Sequence, residues 1–129
     1  MNQQGQRTHC QPPRQFDHHR LDAWHVAKQA LIEGHRILND LPRGFASLKD
    51  QGQRAVSSAF SLTSEAAART GADRACRMRW ARAEANEAAA VFEAFGEMGL
   101  IDAARIEAEL DLLWRLSAML TGLARSGRR

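Results

Sequence analysis

The stretch "MRWARAEANEAAAVFEAF", Met78 to Phe95, repeats small and apolar residues at every third or fourth position. At about 100° per residue, this spacing collects them on one side of an α-helix. The predicted stripe consists of Met78, Ala81, Ala85, Ala88, Phe92 and Phe95. Because alanine occupies its centre, we expect a neighbouring helix to approach closely, and the stretch indicates a long helix in a helical core.

Three further segments show the same periodicity, separated by short breaks. The sequence predicts helices from Asp17, as N-cap, to a break at Asn39–Gly44; from Phe45 to Thr70; from Asp73 to Glu97; and from an Asp102 cap to about Ala124. Pro42 ends the first because proline cannot continue the helical hydrogen bonds. Short connections favour antiparallel neighbours, so the predicted fold is all-α, an antiparallel up-down-up-down four-helix bundle.

Length and composition predict one small domain. The chain has 129 residues, few prolines, glycines and aromatic residues, and a net charge of +3. We interpret residues 1–16 as a flexible N-terminal tail, 17–124 as the bundle and 125–129 as a basic C-terminal tail. The polar N-terminus contains no signal sequence and no segment is apolar enough to span a membrane, so we expect a cytoplasmic protein.

The fourth predicted helix carries a wide apolar surface. One stripe comprises Ile106, Leu110, Leu113, Ser117, Leu120 and Ala124, and a second lies beside it. Together they cover about half the circumference, more than a surface helix of one bundle needs. We therefore expect a homo-oligomer, with candidate contact residues Ile32, Phe60, Leu112, Leu116, Met119 and Leu123. The alternative is that this helix is the most buried member of a tight bundle.

An arginine-rich segment, "RTGADRACRMRWAR", opens the third helix. The candidate RNA-binding residues are Arg74, Arg77, Arg79 and Arg82, since unneutralised arginines can meet phosphates. Helical geometry does not place all four on one face. The alternative is a solvated or subunit-linked patch. The excess of 16 arginines over two lysines is also typical of codon bias in a GC-rich genome, so the arginine count alone does not indicate RNA binding. For Trp80, we expect packing rather than base stacking.

The sequence gives little indication of a metal site or a catalytic site. His18, Asp22 and His25 share one helical face, a chemically competent ligand set, but that face is opposite the stripe of Trp24 and Leu31 and would be exposed. Cys10 and Cys76 show no CxxC or Cys/His spacing. Neither a nucleophile elbow nor a phosphate-binding glycine loop is present. We expect no metal, no cofactor and no enzymatic activity.

Two segments resemble a known family. "LDAWHVAKQALIEGHRIL", followed by "SLKDQGQRAVSSAFSLTSEAAAR", resembles the first half of the four helix bundle proteins encoded within intervening sequences of bacterial large-subunit ribosomal RNA genes. The residues that match the family's second-helix motif are Leu48, Gln51, Arg54, Ala55 and Ser57. The later "EANEAAAVFEAFGEMGLI" is similar to the end of the family's third helix. Where the family has Asn-Ile-Ala-Glu-Gly, this chain has Ser61–Glu65.

The resemblance implies a cytoplasmic bacterial four-helix bundle that forms a pentamer and has no catalytic activity. Relatives include the accessory protein of diversity-generating retroelements, which assists a reverse transcriptase and its template RNA. Association with structured RNA is therefore the leading functional expectation. The alternative is a scaffold that docks a protein partner, such as a reverse transcriptase, without RNA affinity. Arg54 would either pair with an acid of a neighbouring helix or subunit, or bind an anion.

Overall fold

The structure, a computed structural model, describes residues 14–127 and contains helices and no strand within that range. A 3₁₀ turn at Asp17–Arg20 precedes four α-helices. They are α1 (Asp22–Asn39), α2 (Ala46–Ala67), α3 (Gly71–Glu97) and α4 (Ala103–Gly127). The predicted all-α class and the four helices are confirmed. Residues 1–13 and 128–129, most of the predicted tails, lie outside the described range.

The helices pack in cyclic order, so the backbone of each approaches those of two neighbours, and the backbones of diagonally opposite helices stay apart. The end of one helix lies beside the start of the next. Arg77, near the start of α3, pairs with Glu65 near the end of α2, and Gly96, near the end of α3, faces Ile106 near the start of α4. Consecutive helices are therefore antiparallel. The grooves between α1 and α2 and between α3 and α4 lie on opposite sides of the bundle.

The α3 stripe forms the centre of the core, as its periodicity predicts. All six of its residues are fully buried, and the rings of Phe92 and Phe95 meet edge to face with centroids 5.9 Å apart. Glycines on other helices allow close approach: a Cβ at Gly52 would lie 3.1 Å from Leu38 Cδ2. Small residues at these crossings bring the helices together, and the large side chains fill the spaces between them.

The ends of the helices use standard capping interactions. After α3, the N–H groups of Gly99 and Leu100 donate to the carbonyls of Gly96 and Phe95, and Gly99 has a φ of +71°, which is the Schellman arrangement. At the start of α4, Asp102 Oδ2 accepts the N–H of Ala104 at 3.2 Å. The predicted Asp102 cap is therefore confirmed.

Four predicted boundaries differ from the structure. The third helix begins at Gly71 rather than Asp73, and the fourth continues to Gly127, so residues 125–127 of the predicted C-terminal tail are helical. Asp17 does not cap α1, because it lies in the 3₁₀ turn and α1 begins at Asp22. The rings of His18 and His19 pack against Trp24 in this segment, with centroids 4.3 and 5.6 Å from the Trp24 ring, respectively. The end of α2 is at Ala67 rather than Thr70, and Ala68 and Arg69 donate to Glu65 and Ala66 in a closing turn.

Within residues 14–127, no helix is both long enough and apolar enough to cross a membrane.

Candidate interaction surfaces

The arginine-rich segment divides into paired and unpaired side chains. Arg77 is only 22% exposed and lies 2.9 Å from Glu65 and 3.2 Å from Asp73. Asp73 also accepts from Arg69 at 3.2 Å. The carboxylates of α2 and α3 neutralise these guanidinium groups, so Arg77 joins two helices and is poorly placed to contact a phosphate.

Arg74 lies at the same end of the bundle and is half-buried. It lines a cavity of about 230 Å³ with Asp17, Arg20, Leu21 and Ala67. The cavity therefore holds two cationic side chains beside one carboxylate, and Arg74 is accessible from it.

Arg79 and Arg82 differ from the other arginines of the segment. Both are exposed, and no carboxylate within residues 14–127 lies within 4.0 Å of either guanidinium. Trp80, between them in sequence, is 54% exposed. Packing within residues 14–127 therefore leaves about half of Trp80 accessible. It lies on the same side of α3 as the buried Val91, but its ring remains accessible from solvent.

The residues that carry the family resemblance lie on several sides of α2. Ala55 is buried in the core, whereas Leu48 is half-buried and Gln51 is exposed. The Oγ of Ser57 accepts from Gln53 Nε2 at 2.9 Å. These side chains do not converge on one site.

Arg54 pairs with Asp50, one turn earlier on its own helix, at 3.1 Å, rather than with an acid of a neighbouring helix. It also lies near Glu84 of α3: burial raises the pKa of that carboxyl, Glu87 raises the pKa further and Arg54 opposes both. Two acids, Asp50 and Glu84, therefore lie near the guanidinium at the α2/α3 surface, an arrangement that disfavours an anion ligand.

The predicted oligomer contacts fall into two groups. Ile32 is 43% exposed, and Phe60, Leu112, Met119 and Leu123 are half-buried. Leu116, also predicted as a contact, is fully buried within its own chain, so it belongs to the core of the bundle and not to a contact surface. Phe60 packs on Trp24 with ring centroids 5.7 Å apart. Ile32 is the most accessible of the set.

Ile32 lies in a pocket of about 430 Å³ between α1 and α2, which we call the Ile32 pocket. It is lined by Leu31, Ile32, His35, Arg36, Gln53 and Ser57. Arg36 pairs with Glu33 on its own helix and keeps 64% of its side chain exposed. The pocket is therefore apolar at its base with basic groups at its edge.

A second groove lies on the opposite side, between α3 and α4, around Trp114. This side chain is 75% exposed, the most exposed of the large apolar side chains among the described residues. The groove has a volume of about 390 Å³ and is lined by Asn86, Ala89, Glu93, Glu107, Leu110, Asp111, Leu113 and Trp114. We call it the Trp114 groove. The two apolar stripes predicted on this helix do not include Trp114. The sequence feature that could have indicated this groove is a tryptophan outside both stripes.

One titratable group is buried in the core. Glu109 of α4 is fully buried, and neither carboxylate oxygen has a hydrogen-bond partner. Burial raises its pKa to about 8, with a further contribution from Glu33. By contrast, the buried Thr63 donates to the carbonyl of Ala59 at 2.7 Å. A carboxyl in this environment is protonated at neutral pH.

The histidines at the start of the bundle contact one another, the backbone and Trp24. The Nε2 of His25 lies 2.9 Å from the His19 carbonyl, and burial is the main cause that lowers the pKa of His18, with His19 and His25 adding to it. Within residues 14–127, no group of three or more His, Cys, Asp or Glu side chains is arranged to hold a metal ion.

Comparison with known proteins returns no family model that matches this chain and no curated protein that matches it.

Proposed function

We propose that this chain is a non-enzymatic, cytoplasmic four-helix bundle that assembles as a homo-oligomer, a pentamer by resemblance, and associates with structured RNA. The observation that carries the proposal is the accessible segment of Arg79, Trp80 and Arg82. Two guanidinium groups without carboxylate partners can bind phosphates, and an exposed indole offers a face on which a base can stack.

These contributions differ in their response to salt. Each phosphate contact releases counterions, so it adds to the slope of log affinity against log salt concentration. Base stacking strengthens binding with little effect on that slope. Substitution of the arginines and of the tryptophan should therefore produce two different signatures.

The test is fluorescence anisotropy of a labelled RNA hairpin with the purified, nuclease-treated protein at about 50 and 200 mM salt, the range over which phosphate contacts weaken strongly. Arg79→Glu with Arg82→Glu should weaken binding and lower the salt slope by up to about 2. Trp80→Ala should weaken binding and leave the slope unchanged.

The matched control is Arg43→Glu with Lys49→Glu. Both residues are exposed near the connection between α1 and α2, at the other end of the bundle from Arg79. This variant has the same net charge as the Arg79/Arg82 variant and should bind RNA more tightly than it does. Equal loss in both would reduce the effect to net charge and overturn the assigned surface.

A second candidate function is a scaffold that docks a protein partner, such as a reverse transcriptase, without RNA affinity of its own. The exposure of Trp114 favours it, because accessible tryptophans are common anchors of protein interfaces. Absence of RNA binding by the unmodified protein at about 50 mM salt would overturn the RNA proposal and leave this second function.

A further inference from the structure

The Trp114 groove combines an accessible indole with unpaired acids. Its edge carries the carboxylates of Glu93, Glu107 and Asp111, and no cationic side chain within residues 14–127 lies within 4.0 Å of any of them. Leu110 contributes to its apolar base. A partner that fits this groove supplies an apolar recess for the indole and cations for the edge.

The Ile32 pocket on the opposite side of the same bundle has those properties. Leu31 and Ile32 give it apolar walls, and its lining includes Arg36, which pairs with Glu33 and keeps 64% of its side chain exposed. Lys28, one turn before Ile32, is exposed and lies over the Trp24 ring, 5.1 Å from its centroid. Lys28 and the exposed part of the Arg36 side chain therefore place positive charge beside this apolar recess.

The two surfaces also lie at similar heights along the bundle axis. Gly34, within the segment of α1 that lines the pocket, is level with Glu109 of α4, since a Cβ there would lie 3.0 Å from Glu109 Oε2. Trp114 is five residues beyond Glu109, or about 8 Å along the helix. Two parallel bundles placed side by side can therefore bring groove and pocket together with little axial displacement.

We propose that the Trp114 side chain of one copy inserts into the Ile32 pocket of a second copy, so that the copies associate head to tail. Lys28 and Arg36 of one copy then face the groove carboxylates of the other, and the indole supplies the buried anchor. Because groove and pocket are different surfaces, the contact is heterologous. In a pair of copies, one keeps a free pocket and the other a free groove, and each can bind a further copy. This inference rests on the proposed homo-oligomer and is independent of RNA binding.

The test is the mass in solution of the full chain, measured by light scattering after size-exclusion chromatography. Trp114→Ala removes the inserted side chain, and Ile32→Asp places a charge in the recess. Each variant alone should lose the oligomer and run as a monomer with unchanged helical circular dichroism. Gln51→Asp, an exposed change on α2 that lies at least about 120° around the helix from Gln53 and Ser57, is the matched control and should keep the wild-type mass.

Mixing the two variants distinguishes a head-to-tail contact from groove-to-groove pairing. Trp114→Ala keeps an intact pocket and Ile32→Asp keeps an intact groove, so one junction forms and a species of twice the chain mass should appear. An oligomer that Trp114→Ala disrupts but Ile32→Asp leaves intact would indicate groove-to-groove pairing and overturn the head-to-tail contact. An oligomer that survives both substitutions would overturn the docking but retain the homo-oligomer, whereas a monomeric wild-type chain would overturn both.

Discussion

The carboxyl group of Glu109 in α4 lies directly against the backbone of Gly34 in α1, so that a Cβ at Gly34 would be 3.0 Å from Glu109 Oε2. The same Cβ would lie 3.0 Å from Cζ of Phe92, which is fully buried. Glycine at this position therefore lets α1 approach α4 while both a carboxyl group and a phenyl ring occupy the space beneath it.

Gly34→Ala should consequently destabilise the bundle, although alanine has the better helix propensity. The added methyl group must displace Phe92 or Glu109 in a packed core, which typically costs about 1–3 kcal/mol. Gly122→Ala in α4 is the matched control, because nothing lies within 4 Å of its Cβ position. Gly122→Ala should raise the free energy of unfolding by roughly 0.5–1 kcal/mol. Urea denaturation of both variants gives the comparison, and a stabilised Gly34→Ala would contradict the packing.

Glu109 should also make stability depend on pH. Its carboxyl group has an ordinary pKa of 4.5, which burial, with a smaller contribution from Glu33, raises to about 8 in the folded chain. Below pH 4.5 both the folded and the unfolded states are protonated, and the group carries no penalty. Between those values the unfolded chain releases the proton and the folded chain retains it, so stability falls by up to about 1.4 kcal/mol per pH unit.

Glu109→Gln is the variant that isolates this effect, since it keeps the size of the side chain and removes its titration. The difference in unfolding free energy between the variant and the wild type should shift in favour of the variant from pH 5 to pH 8. Urea denaturation at several pH values measures it. A difference that stays constant over this range would show that Glu109 titrates normally, and Glu107→Gln, at an exposed position, is the control.

Periodicity predicted the core of this fold better than its surface. The α3 stripe from Met78 to Phe95 is buried as predicted, because one helical face meets the other helices along its whole length. Glu109 was not predicted to lie in the core, because a glutamate usually indicates a solvent-exposed position. Its position, three residues after Ile106 and four before Leu113, places it on the buried face.

The surface depends on the relative positions of the helices, which periodicity does not contain. Trp80 shares a side of α3 with Val91, yet only Val91 is buried, because the direction of a side chain does not show how far a neighbouring helix covers it. The pairing of Arg77 with Glu65 likewise requires the register between α2 and α3. Sequence alone therefore could not separate the paired arginines of the candidate site from the unpaired ones.

A hydrogen bond between α1 and α2 gives the third prediction. Trp24 Nε1 donates to Ser64 Oγ at 2.8 Å, and that hydroxyl donates to the carbonyl of Phe60 at 2.9 Å. Ser64→Ala leaves the mostly buried indole N–H without its acceptor and should cost about 1–3 kcal/mol. Ser61→Ala, an exposed position on the same helix, should change stability by less than about 0.5 kcal/mol. Similar values for both would contradict a contribution from the indole hydrogen bond.

The arginines of α3 provide a last prediction, in which stability separates the paired from the unpaired side chains. Arg77→Ala removes two ion pairs, one of which joins α2 to α3, and should lower the free energy of unfolding by about 1 kcal/mol at low salt. Arg79→Ala should change it by less than about 0.5 kcal/mol, because this side chain has no carboxylate partner among residues 14–127.

Salt provides the control for that comparison. At about 1 M salt the screening length falls to roughly 3 Å, so the cost of Arg77→Ala should shrink while that of Arg79→Ala stays small. Urea denaturation at both salt concentrations measures the two effects. Equal costs for the two substitutions at low salt would contradict the division of the segment into a structural arginine and an arginine available to phosphate.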